Sequence, residues 1–221
     1  MSADLRHVGV WLFDLDNTLY PPGGGFMGHV ERRMTQFVAQ ALDLPREEAL
    51  ALLKKYWREE GTTLAGLMAN HGVDPEEFLT YVHDVPLDDL IPDPALKHAL
   101  RRLPGRRLVF TNGSAAHAER VLERLEIDAL FEATFHIASA GYRPKPHPET
   151  FAQVVHEHRI DPPACAFFED SEKNLAPAAE LGMTTILVGP HAAASTAPFV
   201  NHRTEDLAAF LGSAKVRETA A

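Results

Sequence analysis

Two aspartates stand two residues apart in Phe13-Asp14-Leu15-Asp16-Asn17-Thr18-Leu19, directly after the apolar run Val8–Phe13. Carboxylates this close repel each other unless a cation sits between them. A second acidic pair, Glu169-Asp170-Ser171, follows another apolar run, Ala164–Phe168. Between the pairs lies Thr111-Asn112-Gly113-Ser114, whose hydroxyl and amide groups suit an anion at a helix start. Next comes Arg143-Pro144-Lys145-Pro146-His147-Pro148, where prolines on both sides of Lys145 stiffen its loop. Taken singly, each segment has an ordinary explanation: acidic pairs make turns, Ser114 caps a helix, and a lone lysine is solvated. Together they compose a metal site beside an anion site.

Such a site requires a scaffold that gathers four distant segments. Five short runs, Val8–Phe13, Arg107–Phe110, Thr134–Ile137, Ala164–Phe168 and Thr184–Val188, are apolar nearly throughout. That is the pattern of strands buried on both faces of a parallel sheet. Helical patterns separate the later four. One is capped by Ser114 and carries Val121, Leu122 and Leu125; one opens at Pro148 with Phe151, Val154 and Val155; one holds Leu175, Ala178, Ala179 and Leu181 and stops at Gly182. The alternation predicts an α/β doubly wound parallel sheet. In that architecture the carboxyl ends of the strands face one ligand crevice, and each of the four polar segments follows a predicted strand.

The first connection is anomalous: 93 residues, Asp14 to Arg106, separate the first two predicted strands, several times what one crossover needs. Phe26, Met27, Val30, Met34, Phe37, Val38, Ala41 and Leu42 recur at helical spacing. Pro45 opens a second helix with Leu50, Leu53 and Trp57 predicted inward, and Asp74-Pro75-Glu76-Glu77 is a strong start signal for another. Residues 22–90 therefore read as a small helical bundle, tethered by the Pro- and Gly-rich stretches Pro21–Gly25 and Val85–Pro92 as a hinged lid would be. After Pro190 a weak helix is predicted around Thr204–Leu211, followed by disorder over Ser213–Ala221.

Asp14-Leu15-Asp16-Asn17-Thr18, Thr111-Asn112-Gly113, Lys145-Pro146 and Glu169-Asp170-Ser171 resemble, in order, the four motifs of the haloacid dehalogenase-like (HAD) phosphohydrolases. The resemblance implies a Rossmann-like core over residues 1–21 and 91–221, with a helical cap over 22–90. Asp16–Pro21, Gly61–Leu67 and Thr111–Ser114 further resemble the pyrimidine 5′-nucleotidase group. By that resemblance Asp14 is the nucleophile that forms an aspartyl-phosphate, and Asp16 is the general acid and then the base. Mg²⁺ is held by Asp14, the backbone carbonyl of Asp16 and Asp170, while Thr111, the amide at Asn112 and Lys145 bind the phosphate. The implied substrate is a small phosphorylated metabolite, first a pyrimidine nucleoside monophosphate, with sugar phosphates or a phosphomutase reaction as alternatives. A non-catalytic phosphate-binding module on the same fold has no need of both Asp14 and Asp16. The fourth motif more often begins Asp-Asp, so Glu169 is expected to act through metal-bound water and Asp170 directly.

Composition narrows the class further. The chain has 221 residues with 45% apolar and 24% charged, which is globular and not disordered. Lys plus Arg number 21 against 31 Asp plus Glu, a net charge of −10 that repels nucleic acid. Cys165 is alone and cannot form an internal disulfide, the N-terminal residues show no signal sequence, and no apolar run is long enough to cross a bilayer. The expected location is cytoplasmic. Gly23-Gly24-Gly25 lacks a following Gly-Lys and reads as hinge. Tyr20, Phe26, His29, Arg32, Tyr56, Thr62 and Thr63 are candidates for reading a leaving group, with packing of the bundle the favoured role for the aromatics.

Overall fold

The computed structural model describes residues 2–23 and 25–218. Strand β1 (Val10–Phe13) is followed by four helices, α1 (Phe26–Ala41), α2 (Arg46–Glu59), α3 (Thr63–His71) and α4 (Pro75–His83). Then come α5 (Pro94–Arg102), β2 (Arg106–Phe110), α6 (Ala115–Arg124), β3 (Ala133–Phe135), α7 (Pro148–Glu157), β4 (Cys165–Glu169), α8 (Glu172–Glu180), β5 (Thr184–Val188), β6 (His202–Thr204) and α9 (Leu207–Ser213).

The strands form one parallel sheet in the order β3-β2-β1-β4-β5-β6. Alternation along each strand feeds two cores. Trp11, Phe13, Val109, Phe168 and Ile186 pack against Leu100, Val121 and Leu211 on one face. Leu12, Leu108, Phe110 and Phe167 pack against Phe151, Val154 and Leu175 on the other. Both faces are covered, which explains why these strands read as unbroken apolar runs. The chain passes from β1 outward to β3 and then returns to β4 on the opposite side of β1. The order therefore reverses at the β1–β4 pair, where Phe13 stands beside Phe168, and a crevice opens at such a reversal.

Helices α1–α4 close a separate apolar cluster that includes Phe37, Val38, Leu53, Tyr56, Leu67 and Phe78 and takes in Ile137 from beyond β3. Gly66 permits the α2–α3 contact, because a Cβ there would fall 2.2 Å from Tyr56 Cγ. The first turn of α1 behaves differently: Phe26 and Val30 belong to the core of the sheet. The return segment after α4 is fastened to α6. Arg120 donates to the carbonyls of His83 and Val85 at 2.8 and 3.0 Å, and Arg124 to that of Leu87 at 3.1 Å.

Three expectations need correction. The buried face of α2 is Ala49, Leu53 and Tyr56; Leu50 and Trp57, expected inward, are 41% and 55% exposed. Strand β6 has no counterpart in the predicted elements, since His202-Arg203-Thr204 is short, polar and half-buried. The tail is ordered beyond Ser213: Asp206 caps α9 through Ala209 N at 2.9 Å, Ala214 is buried, and Lys215 N donates to Ala3 O at 2.9 Å. The rest of that predicted disorder, residues 219–221, and Gly24 of the expected hinge lie outside the described residues. Among the described residues no helix is long and apolar enough to cross a membrane.

Candidate active site

The β1 ladder runs one residue past the strand, with Asp14 N donating to Phe168 O at 2.9 Å. The backbone then turns sharply at Asn17, whose φ of 62° is left-handed and suits asparagine. Leu19 N donates to Leu15 O at 3.0 Å, closing a single helical turn. That turn places Thr18 Oγ1 3.1 Å from Asp14 Oδ2 and Tyr20 Oη 2.6 Å from Asp16 Oδ1. Asp14 and Asp16 thus leave the same strand end toward different partners.

Lys145 is the partner of Asp14. It is 1% exposed, and its ammonium lies 2.7 Å from Asp14 Oδ1, 2.7 Å from Phe110 O and 2.8 Å from Glu169 Oε2. An ammonium has three donors, and all three are used. Asn112 holds the loop in register: its Oδ1 accepts from Lys145 N at 2.8 Å and its Nδ2 donates to Lys145 O at 3.3 Å. The expectation that Lys145 grips phosphate and that Glu169 acts through water thus meets a different arrangement. Lys145 joins Asp14 to Glu169, and a phosphate oxygen could reach Lys145 only by replacing one of its present acceptors. Glu169 Oε1 accepts from Ser171 N at 3.1 Å, so both of its oxygens are engaged. Thr111 is buried with its Oγ1 accepting from Gly113 N at 2.9 Å.

The carboxylates of Asp14, Glu169 and Asp170 offer oxygens that all lie within 4.8 Å of one another. Burial, then the proximity of Glu169, pushes Asp14 above the usual carboxylate range, although Lys145 pulls it down. Burial, then Asp14, pushes Asp170 up to about 6. Asn174 on α8, which lines the same cavity, has a buried Oδ1 without a hydrogen-bond partner. One ammonium among two buried carboxyls and a half-buried third leaves negative charge uncompensated, and oxygen donors at this spacing suit a hard divalent cation such as Mg²⁺. The site fits that ion. The Asp16 carboxylate is outside the cluster, so only its backbone carbonyl could be a ligand there.

Asp16 is held by His117, which the sequence did not single out, and by Tyr20, weighed there only for reading a leaving group. His117 Nε2 is 2.8 Å from Asp16 Oδ1, across 101 positions of sequence, and the His117 side chain is 2% exposed. Burial alone would raise Asp16, but proximity and hydrogen bonding to His117, then Tyr20, hold it at about 2. His83, the last residue of α4, stacks on His117 with centroids 4.0 Å apart, and its Nδ1 is 3.1 Å from Ser114 Oγ. A signal for His117 existed: it follows the Ser114 cap by three residues, in the helical turn nearest the crevice. Of the residues weighed for leaving-group recognition, Tyr56 bonds His71 within the helical cluster and Thr62 caps α3.

Asp14, Asp16, Thr111, Lys145, Glu169 and Asp170 floor a cavity of about 550 Å³ whose upper wall is built by the inserted helices. Met27, Met34, Leu50 and Trp57 line it, which accounts for the exposure of the last two. Lys173 on α8 places its ammonium 4.0 Å from the Trp57 ring centroid, bridging α2 and α8 beside the cavity.

Lys145→Met leaves Asp14 and Glu169 buried without their cation and is expected to cost about 3–5 kcal/mol at neutral pH. Buried carboxyls freed of their partner have folded-state pKa values raised above the unfolded values near 4. Their stabilising contribution is present below that unfolded value and is lost as pH rises through the raised one. The deficit against wild type therefore grows from pH 5 to pH 8 in urea unfolding of metal-free protein; a deficit that shrinks with pH would contradict the pairing.

The model of the haloacid dehalogenase-like hydrolases matches residues 9–182, a span containing all four polar segments. Phosphate metabolism protein 8 of Saccharomyces cerevisiae (strain ATCC 204508 / S288c) is 29% identical over 197 residues, covering 80% of this chain and 60% of that protein. The chain thus spans less than two thirds of the length of this curated relative. A HAD phosphatase from Thermococcus onnurineus shares the fold with a TM-score of 0.61 at 17% identity, over 98% of this chain and 100% of that one. So does a 2-haloacid dehalogenase from Pseudomonas syringae pv. Tomato DC3000, at 0.58 and 20% identity, over 91% and 95%. Two reactions share one architecture, so the fold alone does not select the chemistry. The motif order, the parallel sheet and the family match lead to one conclusion: the chain belongs to the haloacid dehalogenase-like hydrolases.

Proposed function

We propose that this chain is a Mg²⁺-dependent phosphomonoester hydrolase acting on nucleoside 5′-monophosphates, pyrimidine ones first. The observation that carries this reading is the separation of two aspartates from one strand end. Asp14 lies in the carboxylate cluster with Lys145, whereas Asp16 lies outside it with its own donors. A dehalogenase needs neither an acid two residues after its nucleophile nor a cation site; Asp16 and the carboxylate cluster would supply both here.

Asp14, Asp170 and the backbone carbonyl of Asp16 would hold Mg²⁺, and Thr111 and the amide of Asn112 would receive the phosphate at the start of α6. When bound, Mg²⁺ supplies positive charge that offsets repulsion between a carboxylate and a phosphate dianion. An Asp14 oxygen attacks phosphorus, and the bond to the ester oxygen breaks as Asp16 gives that oxygen its proton. Asp16 then takes a proton from water as the water oxygen bonds to phosphorus, and Asp14 departs as a carboxylate. Without substrate Asp16 is ionised; the arriving phosphate brings negative charge beside it and favours the neutral acid. On this reading residues 22–90 act as a cap over a core made of 1–21 and 91–221. The apolar wall of Leu50, Trp57, Met27 and Met34 supports a leaving group with a planar face such as a base, and about 550 Å³ accommodates one. The name of the yeast relative, which speaks of phosphate metabolism, supports the same class.

Asp14→Asn is expected to lower turnover at least about a thousandfold while inorganic phosphate still binds; a variant keeping most of its activity would remove Asp14 from the reaction. Across UMP, CMP, AMP and sugar phosphates, kcat/KM is expected to favour the pyrimidines by roughly tenfold or more. A flat profile would leave a phosphatase without the nucleotide preference.

A further inference from the structure

The two oxygens of Asp16 are treated differently. Tyr20 Oη donates to Oδ1 at 2.6 Å, and His117 Nε2 lies 2.8 Å from that same Oδ1. Oδ2 receives no hydrogen bond among the described residues. It lies beside the Thr111–Gly113 turn, where a Cβ built on Gly113 would stand 3.8 Å from it. Both donors are held in place. Tyr20 is 7% exposed and meets Phe26 edge to face at 5.7 Å. The His117 ring lies nearly parallel to those of His83, at 4.0 Å and 16°, and Phe26, at 5.9 Å and 6°. His83 is itself tied to Ser114 and, through its carbonyl, to Arg120. His117 therefore has little freedom to turn away from Asp16.

We propose that His117 and Tyr20 are positioning residues which, by occupying Oδ1 of Asp16, reserve Oδ2 as the atom that passes the proton to and from the reacting oxygens. The inference rests on Asp16 being the general acid, as proposed above. In the neutral acid, Oδ2 carries the proton and Oδ1 is the carbonyl-like oxygen, which accepts both hydrogen bonds. When the Oδ2–H bond breaks, its proton goes to the ester oxygen as that oxygen leaves phosphorus, and the same donors stabilise the carboxylate left behind. In the second half, Oδ2 takes the proton of the attacking water. A carboxyl without these donors can rotate and present either oxygen, so part of its population has the proton aimed away from the ester. Fixed geometry removes that loss before the reaction begins.

The test compares two phosphomonoesters on the full-length protein with Mg²⁺. An alkyl phosphate needs its leaving oxygen protonated, whereas p-nitrophenyl phosphate releases an anion stable enough to depart without a proton. The quantity compared is kcat/KM, which reports only the steps through departure of the leaving group. His117→Ala and Tyr20→Phe are expected to lose roughly 10–100-fold on the alkyl ester and little on p-nitrophenyl phosphate. His117→Gln, which keeps a donor at similar reach, restores most of the alkyl rate. Asp16→Asn calibrates the comparison. If it loses rate equally on both esters, Asp16 is not the acid and the functional reading itself fails. If Asp16→Asn is selective for the alkyl ester while the His117 and Tyr20 variants lose equally on both esters, or lose nothing, the positioning proposal is overturned. Tyr20→Phe and His117→Gln keep the test decisive should His117→Ala fail to fold.

Discussion

A lysine ammonium buried between two carboxylates is the constraint around which the crevice is built. Moving such ions out of water costs several kcal/mol each, and the cost is recovered only if every donor finds an acceptor. Lys145 meets that condition with Asp14, Glu169 and the carbonyl of Phe110, groups from the ends of β1, β4 and β2. The loop that brings Lys145 there is fixed by Asn112 at two backbone points. Removing any of these pieces strands a charge, so strand order, loop and motif residues depend on one another. The pairing also sets what the site lacks. With Asp170 beside the pair, the carboxyls outnumber the ammonium, and the surplus is negative.

Two residues that are almost neighbours in sequence meet different surroundings at that site. Asp14 sits with the other acids, where burial and repulsion oppose its ionised form. Asp16 sits with His117 and Tyr20, whose proximity and hydrogen bonds favour its ionised form. Environment gives chemically identical groups different properties, as the proposed roles of nucleophile and acid within one turn of chain require. The inserted helices take part in the second environment, since Phe26 and His83 mark their beginning and end and both rings lie against His117.

The sheet and the four polar segments were legible because strands buried on both faces carry a strong apolar signal and their ends carry the chemistry. Thr111, Lys145, Asp14 and Asp170 meet in one cavity for that reason. The partners of these residues were not legible, because they arise from folding across long separations. His117 meets Asp16 from 101 residues away, and Lys145 spends its charge on Glu169. The inward face of α2 was misjudged because Leu50 and Trp57 do face something, but it is the cavity wall and not the helical cluster. An apolar stripe reports that a surface is shielded and does not say by what. Strand β6 is held by pairing to Ile186, Leu187 and Val188, and the tail after Ser213 by Lys215, which donates to Ala3 O and accepts from Leu5 N; such contacts leave no periodic trace in the sequence.

The central claim is that the acidic crevice carries more negative charge than Lys145 neutralises and is completed by a divalent cation. Titration calorimetry of Mg²⁺ into EDTA-treated protein tests it directly, with Asp170→Asn as the comparison. The account predicts one bound ion per chain and at least roughly tenfold weaker binding in the variant, in line with the loss of a charged oxygen ligand. No binding to the wild-type protein, or equal binding in both proteins, would contradict it.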